Sequence, residues 1–211
     1  MPNWVMNNVT FEGSKSVLKK MRNFMKSEET EFDFNKLIKM PEALNLIAGS
    51  EETIAVSCAK ARRAGEKTSK EYEKEWAKNK TFEEWADLGD KYLDNIDRYG
   101  ASNWYDWRIS NWDTKWNARD ASWSDDNSSV SFETAWSMPE AIFKELSRRY
   151  PSISIYIEFA DEDIGNNCGT WKLPEEDSPT YLNDEEFACN VWGYDYDEII
   201  AEREDECEDA E

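Results

Sequence analysis

Residues 130–159, VSFETAWSMPEAIFKELSRRYPSISIYIEF, decide the fold. Val130–Trp136 reads as a strand, and Ser137-Met138-Pro139-Glu140 has the capping-box pattern with proline in the first turn, where its missing N–H costs nothing. Ile142, Phe143, Leu146 and Tyr150 then give one apolar face at helical spacing, and Pro151 ends the helix. Ile153, Ile155, Ile157 and Phe159 alternate without a gap, the pattern of a strand with one buried face. The stretch is a β-α-β unit.

Working outward, Ala118–Trp123 precedes the polar loop Ser124–Ser129, so this run and Val130–Trp136 form a hairpin. At the N-terminus, Val5, Val9 and Phe11 alternate over residues 4–11, and Ser14 is placed to cap a helix carrying Val17, Leu18, Met21, Phe24 and Met25 over residues 15–26. Residues 42–112 read as largely helical. Capping boxes begin at Thr68 and Thr81, a stripe of Phe82, Trp85, Tyr92, Leu93 and Ile96 follows, and Gly100 suits a left-handed stop. A short extended piece is expected around Phe32 and Phe34, and edge strands over 165–173 and 187–194. Without the helical block the order is β-α-β-β-α-β. The expectation is an α+β protein with a ferredoxin-like antiparallel sheet, two helices on one face and a large helical insertion after the first helix. Residues 1–30 and 114–175 would form the core, 31–113 the insertion and 176–211 an acidic C-terminal segment.

Charge is unevenly placed. The chain carries 46 acidic and 25 basic side chains for a net −21, but residues 1–160 account for only −4 and residues 161–211 for −17. This argues against direct binding to a nucleic-acid backbone, which requires clustered Lys and Arg. The end from Glu202 to Glu211 should be solvated, frayed or disordered. The candidate partner-binding surface comprises Asp161, Glu162, Asp163, Glu175, Glu176, Asp177, Asp184, Glu185, Glu186, Asp195, Asp197 and Glu198, and the partner it calls for has a basic surface.

Histidine is absent, which removes the commonest general base and metal ligand. Phosphate-binding glycine loops and the GxSxG elbow are also missing, and no catalytic residues are assigned. Asp125-Asp126 and Asp161–Asp163 read as solvated loop acids before metal ligands, and Cys58, Cys168, Cys189 and Cys207, without CxxC spacing, as reduced free thiols. No metal or cofactor is expected. No apolar run is long enough for a membrane span, and no signal sequence is evident, so a cytoplasmic setting is expected.

The chain has eleven tryptophans, four of them between Trp104 and Trp116. On a helix over 102–112, Trp104, Tyr105, Arg108 and Trp112 share a face with Trp107 at its edge. Packing of these rings onto the core is one reading. The other is a platform that stacks a nucleotide or sugar, with Arg108, Asn111 and Lys115 supplying polar contacts and Trp116 a further ring.

Several segments together resemble one family: Met1-Pro2-Asn3-Trp4 with Asn7, Phe32–Lys36 leading to Met40-Pro41, Tyr99-Gly100 through Trp104-Tyr105, Asn111-Trp112, Thr114-Lys115-Trp116, and Phe132–Trp136 followed by Pro139. The family is the phage- and plasmid-encoded one with a YubB-type ferredoxin-like domain, whose activity is unknown. The resemblance implies a ferredoxin-like fold and a mobile-element setting, and assigns no catalytic residues. Two positions depart from its pattern. Asp113 stands where relatives usually have Gly, and Val5 where they often have Cys. The expected function is that of a non-enzymatic accessory protein that binds a host protein through its acidic surface, inhibiting a nucleic-acid-binding defence system of the anti-CRISPR or anti-restriction type. The alternative is nucleotide binding through residues 104–116.

Overall fold

The computed structural model describes residues 3–201, which form two compact units: residues up to 39 together with those from 112 onward, and residues 40–111.

The first unit is built on β1 (Trp4–Glu12), β2 (Arg119–Trp123), β3 (Ser129–Ala135), β4 (Ser154–Asp161), β5 (Cys168–Leu173) and β6 (Thr180–Leu182). All neighbours pair antiparallel, in the order β2-β3-β1-β4-β5-β6. The first four strands, with helices α1 (Lys15–Met25) and α5 (Glu140–Arg149), reproduce the expected ferredoxin-like arrangement, and β5 and β6 extend it at one side. Period-2 alternation sends Val5, Val9, Phe11, Val130, Phe132, Ile155, Ile157, Phe159 and Trp171 to one face. Leu18, Met21, Met25, Ile142, Phe143 and Leu146 are buried on the helices, and together these residues supply the core.

The second face behaves differently. One end is covered by α6 (Glu185–Trp192), whose Ala188, Cys189 and Val191 bury Met6, Ala160 and Cys168. The expectation of an edge strand at 187–194 is therefore incorrect. Asp184 accepts from the Phe187 N–H, Gly193 takes φ 74° at the other end, and the apolar residues between recur at helical spacing. The open remainder, around Asn8, Thr10, Ser122, Ser129 and Ser131, is polar. On the central strands the side chains of this face include Trp4, Met6, Asn8 and Thr10 on β1 and Ser129, Ser131 and Glu133 on β3.

Other local expectations also change. Phe34–Lys36 is a 3-10 turn rather than an extended piece, and residues 31–39 fold with the sheet, not with the insertion. Phe32 stacks on Phe132 at 4.9 Å, and the Trp112 indole N–H donates to the Ile38 carbonyl. Asn117 ties the same segment down, donating to Asp33 and accepting from the Phe34 N–H. Ser14 occupies the N-cap position of α1, but its hydroxyl bonds Ser16 instead of a helix amide. The segment 176–211 contains β6 and α6; Glu202–Glu211 and Cys207 lie outside the described residues.

The second unit contains α2 (Ser50–Arg63), α3 (Phe82–Tyr99) and most of α4 (Trp104–Trp112). Thr81 and Glu84 form the expected capping box, and Gly100 closes α3 at φ 73°. The helix expected after Thr68 does not form. The Ser69 hydroxyl accepts from the Tyr72 N–H in a turn, Glu71 pairs with Lys74, and only a short 3-10 segment follows at Glu75–Asn79. The helices α2 and α3 approach closely at Gly89, where a Cβ would sit 1.9 Å from the Ala55 carbonyl oxygen. Cys58, Cys168 and Cys189 are buried.

Candidate partner-binding surface

The Trp-rich segment does not gather into one platform. Trp112 is fully buried in the sheet unit, edge-on to Phe34 at 5.7 Å. Trp107 is buried in the helical unit, where its carbonyl accepts from the Asn111 amide at 2.8 Å. Trp104 and Tyr105 are half-buried and edge-to-face at 5.8 Å, with the Arg108 guanidinium 5.2 Å from the Trp104 ring. Lys115 and Trp116 belong to the sheet unit.

There they join residues distant from them in sequence. Trp116 stacks on Trp4 at 5.5 Å. The Arg119 guanidinium lies 4.4 Å from the Trp4 ring, and the Lys115 ammonium lies 4.4 Å from Trp116 and 5.2 Å from Trp136. The result is a column running Arg119–Trp4–Trp116–Lys115–Trp136, in which each ring presents its electron-rich face to a cation. Sequence gave no signal for this: Trp4 and Trp136 are brought together only because Trp4 pairs with Ala135 across β1 and β3.

The backbone holding the column is constrained. Trp136 adopts φ 71°, a left-handed conformation that is costly for a bulky side chain. Its N–H donates to the Asn3 carbonyl and its carbonyl accepts from the Asn167 amide, while the residue stays 39% exposed. Asp113 takes φ 62°, also in the left-handed region. Its side chain meets the cost by an unexpected role: the carboxylate accepts from the Ala141 N–H at 2.8 Å, capping α5. The Ser137 hydroxyl turns away from α5 to donate to the Asp113 carbonyl. The expected Ser137 capping box is therefore replaced by a cap from outside the helix, and Pro139 is the N-cap residue. The Thr114 hydroxyl bridges the Ala135 backbone, and buried Asn7 donates to Thr134, locking the 113–117 segment and the end of β3 onto β1.

An acidic loop adjoins the column. Asp161 is buried, accepting from the Asn3 amide and the Asp163 N–H, and also from the Asn167 amide at 3.4 Å. It is an organising group of the loop rather than a surface charge. Glu162 donates its N–H to the Trp4 carbonyl, and the Glu162 and Asp163 side chains are exposed. Arg119 is held by Asp120 at 2.9 Å and Glu133 at 3.5 Å. Burial pushes the Glu133 carboxyl above its usual range, and Asp120 and Glu162 add to this against the opposing pull of Arg119.

The other acidic candidates line the surface from β5 to the end of the described chain. Glu175, Glu176, Asp177, Asp184, Glu186, Asp195, Asp197 and Glu198 are exposed, and Glu185 is half-buried. Some also do structural work: Glu176 accepts from the Lys172 N–H, Asp184 caps α6, and Asp195 accepts from the N–H groups of Asp197 and Glu198. Residues 161–201 hold twelve carboxylates and one base, Lys172, which pairs with Glu175 at 2.6 Å. Among the described residues no group of three or more acids and cysteines is arranged to hold a metal ion, and no helix is long and apolar enough to cross a membrane.

No curated protein and no solved structure matches the chain. Residues 111–209, from the end of α4 through β2–β6 and α6, are similar to the family model described as the ferredoxin-like domain in Api92-like proteins.

Proposed function

We propose that this protein is a non-enzymatic binding protein whose acidic surface docks a partner protein with a basic surface. The observation that carries the reading is the placement of charge. The carboxylates of residues 162–201 are displayed on α6 and on the loops around β5, β6 and α6 with one lysine among them, and that lysine is already paired. Such a surface focuses negative potential, speeds encounter with a cationic partner and repels nucleic acid. The proposed setting is the cytoplasm of a bacterial host, with the protein encoded by a phage or plasmid. Its partner would be a host nucleic-acid-binding defence protein, whose basic groove an acidic surface would occupy.

Nucleotide stacking is the weaker reading. Of the eight residues expected to form the platform, Trp107 and Trp112 are buried, and the ring faces of Trp104 and Trp116 already meet Arg108 and Lys115.

The test is affinity capture with the full chain, in parallel with the variant Asp177→Asn/Glu186→Gln/Asp197→Asn/Glu198→Gln. Basic proteins retained at low salt by the native chain, lost at high salt and lost to the variant support the reading. Capture that is unchanged by salt and by neutralisation overturns it. A nucleotide panel read by tryptophan fluorescence tests the alternative, which predicts a saturable change below millimolar ligand.

A further inference from the structure

The two edges of the sheet are not alike. At β2 the edge is bulged between Arg119 and Ser122, Asp120 is left-handed at φ 51°, and the exposed Arg119–Asp120 pair places charge on the strand. These are features by which sheets refuse a further strand. At the other edge, β6 pairs only with β5 among the described strands, carries neither bulge nor charge, and leaves all three residues exposed, Tyr181 by 58%. Its backbone has a defined direction. The Thr180 carbonyl oxygen lies 2.2 Å from where a Cβ on Gly169 would sit, and the Leu182 carbonyl accepts from the Cys168 thiol at 3.5 Å, so both carbonyls face β5. Strand alternation turns the N–H and carbonyl of Tyr181, between them, away from the sheet. One residue thus offers a donor and an acceptor side by side at the open edge.

We propose that β6 is the edge to which an extended, basic segment of a partner protein adds as a further strand, bonded through the Tyr181 backbone. The inference rests on the acidic-surface reading and gives it a mode of attachment, in which main-chain hydrogen bonds supply affinity and the flanking side chains select the occupant. The sign of that occupant follows from the chain on both sides of the strand. Residues 174–187 contain Glu175, Glu176, Asp177, Asp184, Glu185 and Glu186 and no base. Asp177 stands three residues before Thr180 and Asp184 two after Leu182, so their Cα atoms lie at most about 11 Å from the strand's ends. On the ring side, burial pushes the Tyr181 hydroxyl above its usual range, and the carboxylates of Glu140 and Asp113 add to this. Lys172 on β5 and Lys144 on α5 are each already paired, with Glu175 at 2.6 Å and Glu140 at 3.1 Å. A second copy pairing edge to edge through β6 would bring two sets of these carboxylates together, and like-charge repulsion disfavours it.

The experiment titrates the full chain, by calorimetry, with an alternating lysine–threonine decapeptide, the same peptide N-methylated at every residue, and an alternating glutamate–threonine decapeptide. Tyr181→Pro removes the outward N–H at a position where an edge strand tolerates proline, and Tyr181→Thr removes the ring while keeping that N–H. The expected result is salt-sensitive binding of the lysine peptide and none of the glutamate peptide. N-methylation and Tyr181→Pro should each weaken the binding about tenfold, and Tyr181→Thr should weaken it less. The N-methylated peptide tests the same bonds on the native chain should the proline variant not fold. Lysine-peptide binding that N-methylation leaves unaltered overturns strand addition while leaving the acidic-surface reading in place. Absence of binding by either basic peptide overturns both. Concentration-dependent dimerisation of the native chain in sedimentation, abolished by Tyr181→Pro, would mean that a second copy takes the edge and would overturn the basic occupant.

Discussion

Asp113 allows backbone strain and helix capping to be separated by experiment. It sits at φ 62°, and its carboxylate accepts from the Ala141 N–H at 2.8 Å, closing the first turn of α5. Replacing Asp113 by Ala removes the cap, worth about 1 kcal/mol, and leaves a residue with no polar side chain in the left-handed region, at a cost of about 1 kcal/mol. The expected destabilisation is the sum, about 2 kcal/mol, or a fall of roughly 4–8 °C in melting temperature for a chain of this size. Asp113→Gly loses the same cap but relieves the backbone, so it should cost about 1 kcal/mol or less. Asp113→Asn keeps both an acceptor oxygen and left-handed tolerance and should lie within about 0.5 kcal/mol of the native chain. Urea and thermal melts followed by circular dichroism give the order Asn, Gly, Ala. An Ala variant no less stable than the Gly variant would refute the strain, and an Asn variant as unstable as Gly would refute the cap.

Two further predictions concern parts of the molecule away from the column. Gly89→Ala drives a methyl group into the Ala55 carbonyl and the Ala59 side chain, with contacts of 1.9 and 2.7 Å that no rotamer relieves. The clash should exceed the gain in helix propensity of about 1 kcal/mol and give a net loss of about 2 kcal/mol; a stabilised variant in a urea melt would show that α2 and α3 are not this close. At the β2–β3 turn, hydrogen bonds from the Ser128 hydroxyl and N–H and from the Ser124 hydroxyl lower the Asp126 carboxyl to about 2. Because the folded value lies below the unfolded one, its stabilising contribution is present above the unfolded carboxyl range of about 4 and disappears as pH falls through about 2. Carboxyl NMR titration of Asp126 should give that low midpoint, and a value near 4 would contradict the turn geometry.

The sheet was legible because one-face burial imposes period-2 alternation, as at Ile153–Phe159, and because the helix between β3 and β4 is bounded by prolines on both sides. The register was not. Nothing local to Trp4, Trp136 or Arg119 marks them as neighbours of Lys115 and Trp116, since the column is created by pairing between strands more than a hundred residues apart in sequence. Side-chain caps were read less well than helices for a related reason. Ser137 and Ser14 have the right chemistry in the right places, but Ser137 is drawn to the Asp113 carbonyl and α5 takes its cap from Asp113, a partner that only the tertiary fold supplies. The segment 187–194 is ambiguous in sequence because its short apolar run suits a strand as well as a helix; Asp184 and Gly193 decide it. Asp161 resembles the surface acids in its sequence setting, yet three donors draw it inside. The tryptophans of 104–116 illustrate the limit of composition: a dense aromatic run was divided between two units and largely spent on packing, and the exposed ring beside the acidic loop came from outside it.

The central claim, that the acidic surface recognises a basic partner, is tested most directly by the salt dependence of affinity for a captured partner. The account predicts that the association constant of the native chain falls steeply between 50 and 200 mM salt, as exposed charges are screened within about 10 Å, and that the slope flattens in the Asp177→Asn/Glu186→Gln/Asp197→Asn/Glu198→Gln variant. An affinity that is independent of salt, or a slope the same in both proteins, would contradict it.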